Sequence, residues 1–275
     1  MQILPSTFPS ELLWNLTLRE LRGKYKRSIL GWGWSLLNPI VFLLMYSVVF
    51  MVIFRQEAPV GDPSGLKVYP FFLVAALLPW TFHSNCINGA IMSLAGNVNL
   101  IRKVWFPRYL LPASTGLSWL ITFAIEMSVL SVALAVAGHG ELLMWVPVVM
   151  VVMVLQFAFS IGIGLAAAAL NAFFRDVEYL TGIVLQLWFW ATPVVWPVTV
   201  ISSSGHHPKL WGIPAIDILK LNPMYHFVEA YRDLLYEGHL PGPGRWAAMV
   251  VTALISVAIG TAVFRRVEPR MGEEL

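Results

Sequence analysis

The stretch RELRGKYKRSILGWGWSLLNP, residues 19–39, marks the point at which the chain enters a membrane. Five cations precede a Gly/Trp turn, and an apolar segment that ends near Phe54 follows it. Basic residues beside a first span stay at the cytoplasmic face, whereas indole rings favour the level of the lipid headgroups. This order of residues predicts a cytoplasmic N-terminus, with Trp32 and Trp34 at the lipid boundary.

The composition is that of a polytopic membrane protein. Of the 275 residues, 58% are hydrophobic and 12% are charged, whereas about 25% of a soluble domain is charged. The single cysteine, Cys86, excludes an internal disulfide, and no Cys/His metal spacing surrounds it. The excess of cations fits membrane topology and anionic lipid, so we expect neither a nucleic-acid partner nor a metal site.

Apolar segments long enough to cross a bilayer recur six times along the chain. They cover about residues 34–54, 69–94, 109–138, 146–170, 179–200 and 246–264. With the N-terminus inside, twelve of the 18 Lys and Arg residues fall in cytoplasmic intervals, which predicts that both termini are cytoplasmic. The predicted fold is therefore an all-α polytopic membrane protein with six transmembrane helices. A cytoplasmic interface segment, 1–33, precedes the transmembrane domain, 34–275.

Two amphipathic regions lie outside these spans, one before span one and one between spans five and six. Residues 10–21 place leucines opposite polar residues with a helical period, as in a helix that lies in the membrane interface. In the interval 201–245, Asn222-Pro223 is a helix-start signal, and apolar residues follow at helical spacing from Phe227 onward. We expect an N-terminal interface helix and two short external helices between spans five and six.

No nucleotide-binding or hydrolytic motif is present in the sequence. The phosphate-binding pattern GxxxxGK[ST] is missing, since Gly23-Lys24 is followed by Tyr25 and Leu18 stands where the first glycine belongs. HExxH, GxSxG and CxxC are missing as well. The sequence predicts a chain that is not an enzyme, has no catalytic residue and holds no cofactor of its own.

Span two carries a stripe of polar residues, which we call the polar stripe: Thr81, Ser84, Asn85 and Asn88. Their spacing of i, i+3, i+4 and i+7 places them on one face of an otherwise apolar helix. Such groups face protein or a water-filled cavity in a membrane, so hydrogen bonding between helices and a lumen-lining role are both open interpretations. Glu126, in the middle of span three, has no basic residue within any span to pair with. It is either a protonated carboxyl bonded to a neighbouring helix or a contact for a hydroxyl-rich substrate.

Small residues alternate along span four, at Ser160, Gly162, Gly164, Ala166 and Ala168. Small side chains allow the backbones of two helices to approach closely. We interpret this surface as packing within one subunit rather than as a seam between subunits.

The run LRELRGKYKRSILGWGWSLLNP, residues 18–39, resembles the opening of ABC-2 type permeases that export polysaccharides and teichoic acids. Further similarity lies in NLIRKVWFPRYLLP (99–112), NAFFRDVEYL (171–180), QLWFWATPVVWP (186–197) and LNPMYHFVEAYRD (221–233). These matches follow the family's order over nearly the whole chain. They are specific for the family and say little about the glycan.

The resemblance implies the transmembrane subunit of an ATP-driven exporter in the bacterial inner (plasma) membrane. Two copies of the chain, as a homodimer, would assemble with two separate ATPase subunits that bind ATP and Mg. The complex would move an undecaprenyl-pyrophosphate-linked polysaccharide, of O-antigen, galactan or teichoic-acid type, to the outer side. An ABC-2 exporter of a different lipid-like or small-molecule substrate is an alternative.

By the same analogy, candidate site residues fall into four groups. The substrate path would comprise Thr81, Ser84, Asn85, Asn88 and Glu126. The pyrophosphate would be attracted by the basic residues of the inner interface, Arg22, Lys24, Lys26 and Arg27. Residues 96–107 would form the coupling helix on the ATPase, with Asn99, Arg102, Lys103 and Trp105. The external gate would comprise Asn222, Pro223, Tyr225, Phe227 and Tyr231.

Two rival classes of membrane protein remain open on the residues. A membrane-embedded glycosyl- or acyltransferase would need convergent carboxylates or histidines at one membrane face, and the candidates in this chain are scattered. An ion channel would need repeated filter segments or rings of charge, and the sequence shows neither. A neighbouring gene for an ATPase with a phosphate-binding loop would favour export, and its absence would favour the rivals.

Overall fold

The computed structural model describes residues 8–24, 31, 33–53, 58–199, 209–210 and 212–271. Within these ranges the regular secondary structure is helical apart from two paired two-residue strands, and turns and irregular loops connect the helices. In chain order the helices are α1 (Phe8–Lys24), α2 (Gly33–Tyr46), α3 (Tyr69–Ala95), α4 (Val98–Lys103), α5 (Leu110–Val136), α6 (Val146–Asn171), α7 (Asp176–Trp190), α8 (Ala215–Lys220), α9 (Pro223–Arg232) and α10 (Pro243–Val267).

Shorter elements extend several of these helices. The helix α2 continues as a π-helical turn, Ser47–Ile53, and α9 continues as a second one, Asp233–Glu237. A 3-10 turn, Gly140–Trp145, leads into α6, and another, Glu268–Arg270, follows α10. The antiparallel strands β1 (Lys209–Leu210) and β2 (Ile213–Pro214) precede α8. The helices α8 and α9 occupy the interval in which two short external helices were expected, and their place on the outer side stays a prediction.

Among the described residues, four helical segments are long and apolar enough to cross a membrane: Tyr69–Ala95, Leu110–Val136, Gly140–Asn171 and Pro243–Arg270. They coincide with predicted spans two, three, four and six, so these four are confirmed as candidate spans. The region of span one forms only a shorter apolar helix, Ile40–Phe50. Span five was predicted to reach residue 200, but α7 ends at Trp190 because the chain turns over the next residues, which include Pro193.

The helix α3 is the centre of the subunit. Of its most apolar stretch, 78% is buried, compared with 28% to 33% in the other three candidate spans. It packs against α5, α6 and α9. This enclosure explains why a helix of moderate hydropathy, interrupted by Pro79, is stable in the middle of the bundle.

The closest helix crossing joins α6 to α10. A Cβ added to Gly260 would overlap the carbonyl oxygen of Gly162, and a Cβ added to Gly162 would overlap Ser256. The Ser256 hydroxyl donates to the carbonyl of Phe159 at 2.7 Å, which adds a hydrogen bond across the crossing. Gly164 faces Ala90 of α3. The small residues of span four thus pack within one subunit, as predicted.

The N-terminal helix α1 lies along α5. Leu16, Thr17 and Leu21 are buried, whereas Trp14 and Arg22 are exposed, so one face of the helix contacts the bundle. This distribution agrees with the amphipathic pattern expected for residues 10–21.

Candidate functional site

The polar stripe is the accessible face of the most buried helix. Thr81, Ser84, Asn85 and Asn88 are each half-buried, whereas the residues between them, such as Phe82 and Cys86, are fully buried. Within the described ranges, the hydrogen bond from Asn88 Nδ2 to Ser84 Oγ, at 3.3 Å, is the only one that these four side chains make. The stripe is thus a polar surface that no described helix of the same subunit covers with hydrogen bonds.

A lysine from the interface helix lies beside this surface. Lys24, the last residue of α1, points its Nζ at the Trp119 ring, 3.3 Å from the ring centroid, and donates to Thr122 Oγ1 at 3.4 Å. Trp119 in turn approaches Gly89 of α3, the residue that follows Asn88. The amine and the indole therefore extend the polar stripe toward α1 and α5.

Glu126 lies one helical turn beyond Thr122 on α5 and makes no hydrogen bond to the described part of the chain. Its nearest basic group is Lys24. Burial lowers the pKa of Lys24 to about 7, although the carboxylates of Glu126 and Glu20 act in the opposite direction. The sequence places no basic residue within a span for Glu126, and in the structure the Lys24 amine of α1 is the basic group whose charge interacts with this carboxyl.

Of the four cations predicted to attract a pyrophosphate, the structure describes two, and these two point in different directions. Arg22 is exposed on α1, and Lys24 turns inward to α5. Lys26 and Arg27 lie outside the described residues. Trp32, predicted at the lipid boundary, also lies outside them, whereas Trp34 is exposed at the start of α2. The pyrophosphate site stays a prediction.

The predicted coupling residues form an exposed surface after α3. Asn99, Arg102 and Lys103 are exposed on α4, and the Trp105 side chain is 83% exposed just beyond it. An exposed indole beside two cations is typical of a surface that another protein covers. Arg19 Nη2 of α1 donates to Asn97 Oδ1 at 2.7 Å, directly before α4. The interface helix is thereby attached to this surface.

Asn222 joins the start of α9 to the end of α7. Its Oδ1 accepts hydrogen bonds from the backbone N–H of Met224 at 3.0 Å and from Trp188 Nε1 at 2.7 Å. Its Nδ2 donates to the carbonyl of Ala191 at 3.1 Å and to Thr192 Oγ1 at 2.9 Å. One side chain thus caps the helix and holds it against α7.

The other predicted gate residues point into the subunit. Tyr225, Phe227 and Tyr231 are buried, and Pro223 is half-buried at the first position of α9. The Tyr231 hydroxyl donates to Gln156 Oε1 of α6 at 2.9 Å. The face of α9 that carries Phe227 and Tyr231 therefore packs against the bundle, whereas Tyr225 lies on a different face. The role of these residues as a gate stays a prediction.

Arg232, at the end of α9, was counted only as an external cation in the sequence, yet its side chain is 1% exposed. Its terminal nitrogens donate to the carbonyls of Pro193 and Val194 at 2.6 and 2.8 Å. Its Nε donates to the carbonyl of Phe72 at 3.4 Å, and the guanidinium lies 3.7 Å from the centroid of that ring. Glu229 completes the site with an ion pair of 2.8 Å. We call this arrangement the arginine clamp.

One sequence signal pointed to the arginine clamp. Arg232 occupies an apolar position of α9, since Val228, Tyr231 and Leu235 recur around it at helical spacing. Glu229 precedes it by three residues, the spacing at which opposite charges meet on a helix. The carbonyl partners could not be predicted, because they come from α3 and from the turn after α7.

Comparison with known proteins agrees with this architecture. The family described as ABC-2 type transporter matches residues 11–236. The O-antigen export system permease protein RfbA of Myxococcus xanthus is 30% identical over 96% of this chain and 95% of its own length. A protein of that name from Klebsiella pneumoniae is 28% identical over 96% and 95%, and the polysialic acid transport protein KpsM of Escherichia coli is 24% identical over 93% of each chain. With matches that extend from the interface helix to the end of α9, the chain belongs to the ABC-2 type transporter family.

Proposed function

We propose that this chain is the transmembrane subunit of an ABC exporter that moves a lipid-linked polysaccharide across the inner membrane. The relatives support a polysaccharide substrate, since they are named for O-antigen export and polysialic acid transport. In this proposal two copies form a homodimer, and two separate ATPase subunits bind ATP and Mg and supply the energy. The lipid carrier is undecaprenyl pyrophosphate, as the family resemblance implies.

The polar stripe of α3 carries this proposal. Amides and hydroxyls at the middle of a membrane helix do not face lipid, because they would lose their hydrogen bonds to water. In the described part of the subunit no other helix supplies those bonds to Thr81 or Asn85. We infer that the stripe lines a water-filled path between two copies, in which sugar hydroxyls exchange hydrogen bonds with it.

Replacing Asn85 and Asn88 together by leucine tests the path. We expect the double variant to lose most of its glycan export while expression, complex formation, basal ATPase activity and melting temperature stay near normal. The matched control is Gln156→Leu, because this buried amide donates to the Pro79 carbonyl and accepts from Tyr231. Loss of those bonds should lower stability by about 1–3 kcal/mol. A destabilised Asn85/Asn88 variant with normal export per folded molecule would instead make the stripe structural.

The surface of α4 and Trp105 is proposed to seat the ATPase. Reversing Arg102 and Lys103 to glutamate should weaken recovery of the ATPase with the purified chain, because a mismatched charge pair at an interface costs several kcal/mol. Lys67→Glu is the matched control, since Lys67 is an exposed cation in the loop before α3, at the opposite end of that helix. Unchanged recovery of the ATPase and unchanged export in the double reversal would reject this assignment.

We propose that α2 and α7 supply the remaining two of six spans, which places both termini in the cytoplasm. Large apolar side chains are exposed along both helices, including Val41 and Leu44 in the first and Ile183 and Leu187 in the second. In a monomer such faces would contact water, whereas in a membrane they contact lipid or another copy.

Cysteine labelling checks this orientation. Cys86 is fully buried, so the native chain gives little background. An impermeant maleimide added to intact cells should label Glu141→Cys, in the exposed turn before α6, and should leave Arg266→Cys, at the exposed end of α10, unlabelled until the membrane is permeabilised. The opposite pattern would invert the proposed topology.

A further inference from the structure

A polar cleft of about 500 Å³ lies between α9, the turn Asp233–Glu237 and the start of α10. The proposed topology places it on the outer face. Among the side chains that line it are Tyr225, His226, Glu229, Glu237, His239 and Arg245. It is separate from the polar stripe and from the surface of α4.

The charges in this cleft are compensated by partners within the chain. Glu237 Oε2 lies 2.7 Å from His239 Nε2, and Asp233 forms an ion pair with Arg245. Glu229 is paired with the buried Arg232. Because each of these carboxylates already has a cationic or imidazole partner, the cleft offers little excess charge to a phosphate or a metal ion. Each still has lone pairs that accept hydrogen bonds from a neutral ligand.

His226 adds a hydrogen-bond acceptor to which no described residue donates. Its Nε2 donates to the Lys220 carbonyl at 2.8 Å, which leaves Nδ1 as an acceptor on a neutral ring. Burial lowers the pKa of His226, so the ring stays neutral near pH 7. Nδ1 is buried and has no hydrogen-bond partner among the described residues. His226 lines the cleft, so a small shift of the cleft wall that uncovers Nδ1 would let a ligand hydroxyl satisfy this acceptor.

Two aromatic rings and a guanidinium also line the cleft. The rings of Tyr225 and His226 meet edge to face, with centroids 5.1 Å apart. Aromatic faces suit the apolar C–H faces of sugar rings. Arg245, which lies next to Asp233 in the cleft, carries five N–H donors in all. Donors, acceptors and aromatic surface are thus combined without a large net charge.

We propose that this cleft binds sugar units of the exported polysaccharide on the outer side of the membrane. The inference rests on the proposed export function, because it takes the emerging glycan as the ligand. Carboxylate and imidazole acceptors take hydrogen bonds from the sugar hydroxyls, and Arg245 donates hydrogen bonds to sugar oxygens. Asp233, Glu237 and His239 also bring their ligand atoms within 4.8 Å of one another. A divalent cation is therefore the competing occupant that the experiment has to exclude.

The test uses the complete complex of this chain with its ATPase in lipid nanodiscs. The probe is the delipidated polysaccharide released by mild acid from the host's own lipid-linked pool, titrated by calorimetry. We expect His226→Phe and Glu237→Gln each to raise the Kd by about tenfold, the loss expected when a hydrogen bond to the ligand is removed. The matched control is Glu141→Gln, since Glu141 forms a similar pair with His139, at 3.2 Å, and is not among the residues that line the cleft. Its Kd should stay within about twofold of the native value.

Four outcomes would overturn the inference: no saturable binding by the native complex, an equal loss of affinity in Glu141→Gln, an unchanged Kd in both cleft variants, or a cation in the cleft. The last would appear as stabilisation of the native complex by Ca²⁺ alone that Glu237→Gln abolishes. If His226→Phe fails to fold, the Kd of Glu237→Gln decides whether the cleft binds the glycan. The Glu237 side chain is 40% exposed, so its replacement should leave the fold intact. An assay of glycan export in cells that produce each variant separates the proposed cleft from the proposed export function. Export without binding rejects the cleft alone, whereas no export by the native complex rejects the function itself.

Discussion

Arg232→Met should be among the most destabilising single substitutions in the chain. The change leaves the Glu229 carboxylate without its cation and removes the donors of three carbonyls. Breaking a buried ion pair from one side costs about 3–5 kcal/mol. We therefore expect a sharp fall in the folded yield of the chain and in the melting temperature of the purified complex.

Two further variants show whether charge alone is sufficient. Arg232→Lys keeps the cation but presents three donors on one atom, so it cannot reach Pro193, Val194 and Phe72 together. It should be intermediate in stability. Arg175→Met replaces an exposed arginine and should have the same melting temperature as the native protein. A methionine variant as stable as the native chain would show that the arginine clamp contributes nothing to folding.

Substitution of Gly260 should also destabilise the chain, and the loss should grow with the size of the new side chain. Any Cβ at this position overlaps the Gly162 carbonyl, which is backbone and cannot rotate away. Overpacking costs typically about 1–3 kcal/mol and more against a rigid neighbour, which outweighs the roughly 1 kcal/mol that alanine gains over glycine in a helix. Gly260→Ala should therefore lower the melting temperature, and Gly260→Leu should yield little folded protein by size-exclusion chromatography.

The control for this substitution is Gly182→Ala in α7. No atom lies within 4 Å of a Cβ added there, so the variant should keep or slightly raise stability. If Gly260→Ala melts as high as Gly182→Ala, the α6–α10 crossing is not as close as the structure has it.

Hydropathy and spacing predicted the parts of the fold that depend on neighbours in sequence. The four long apolar helices occur where their composition places them, and α9 begins at Asn222-Pro223 as the start signal indicates. The ends of α7 differ from the prediction because apolar residues continue beyond Trp190 while the backbone already turns.

The contacts that depend on distant segments could not be predicted. Lys24 meets Thr122 across 98 residues, and Arg232 meets Phe72 across 160. Neither pairing leaves a periodic pattern in the sequence, because each depends on how whole helices pack. The spacing of the polar stripe did indicate which residues share a face, but only the packing around α3 shows that this face is left accessible.

The arginine clamp also limits how the outer end of the proposed exporter can open. Swinging α9 alone would pull the guanidinium away from Phe72, Pro193 and Val194 and leave a buried charge unsolvated. The top of α3, the turn after α7 and α9 therefore behave as one rigid block. In the proposed homodimer the outer opening is then a parting of two such blocks along their shared seam, without a hinge between these three segments.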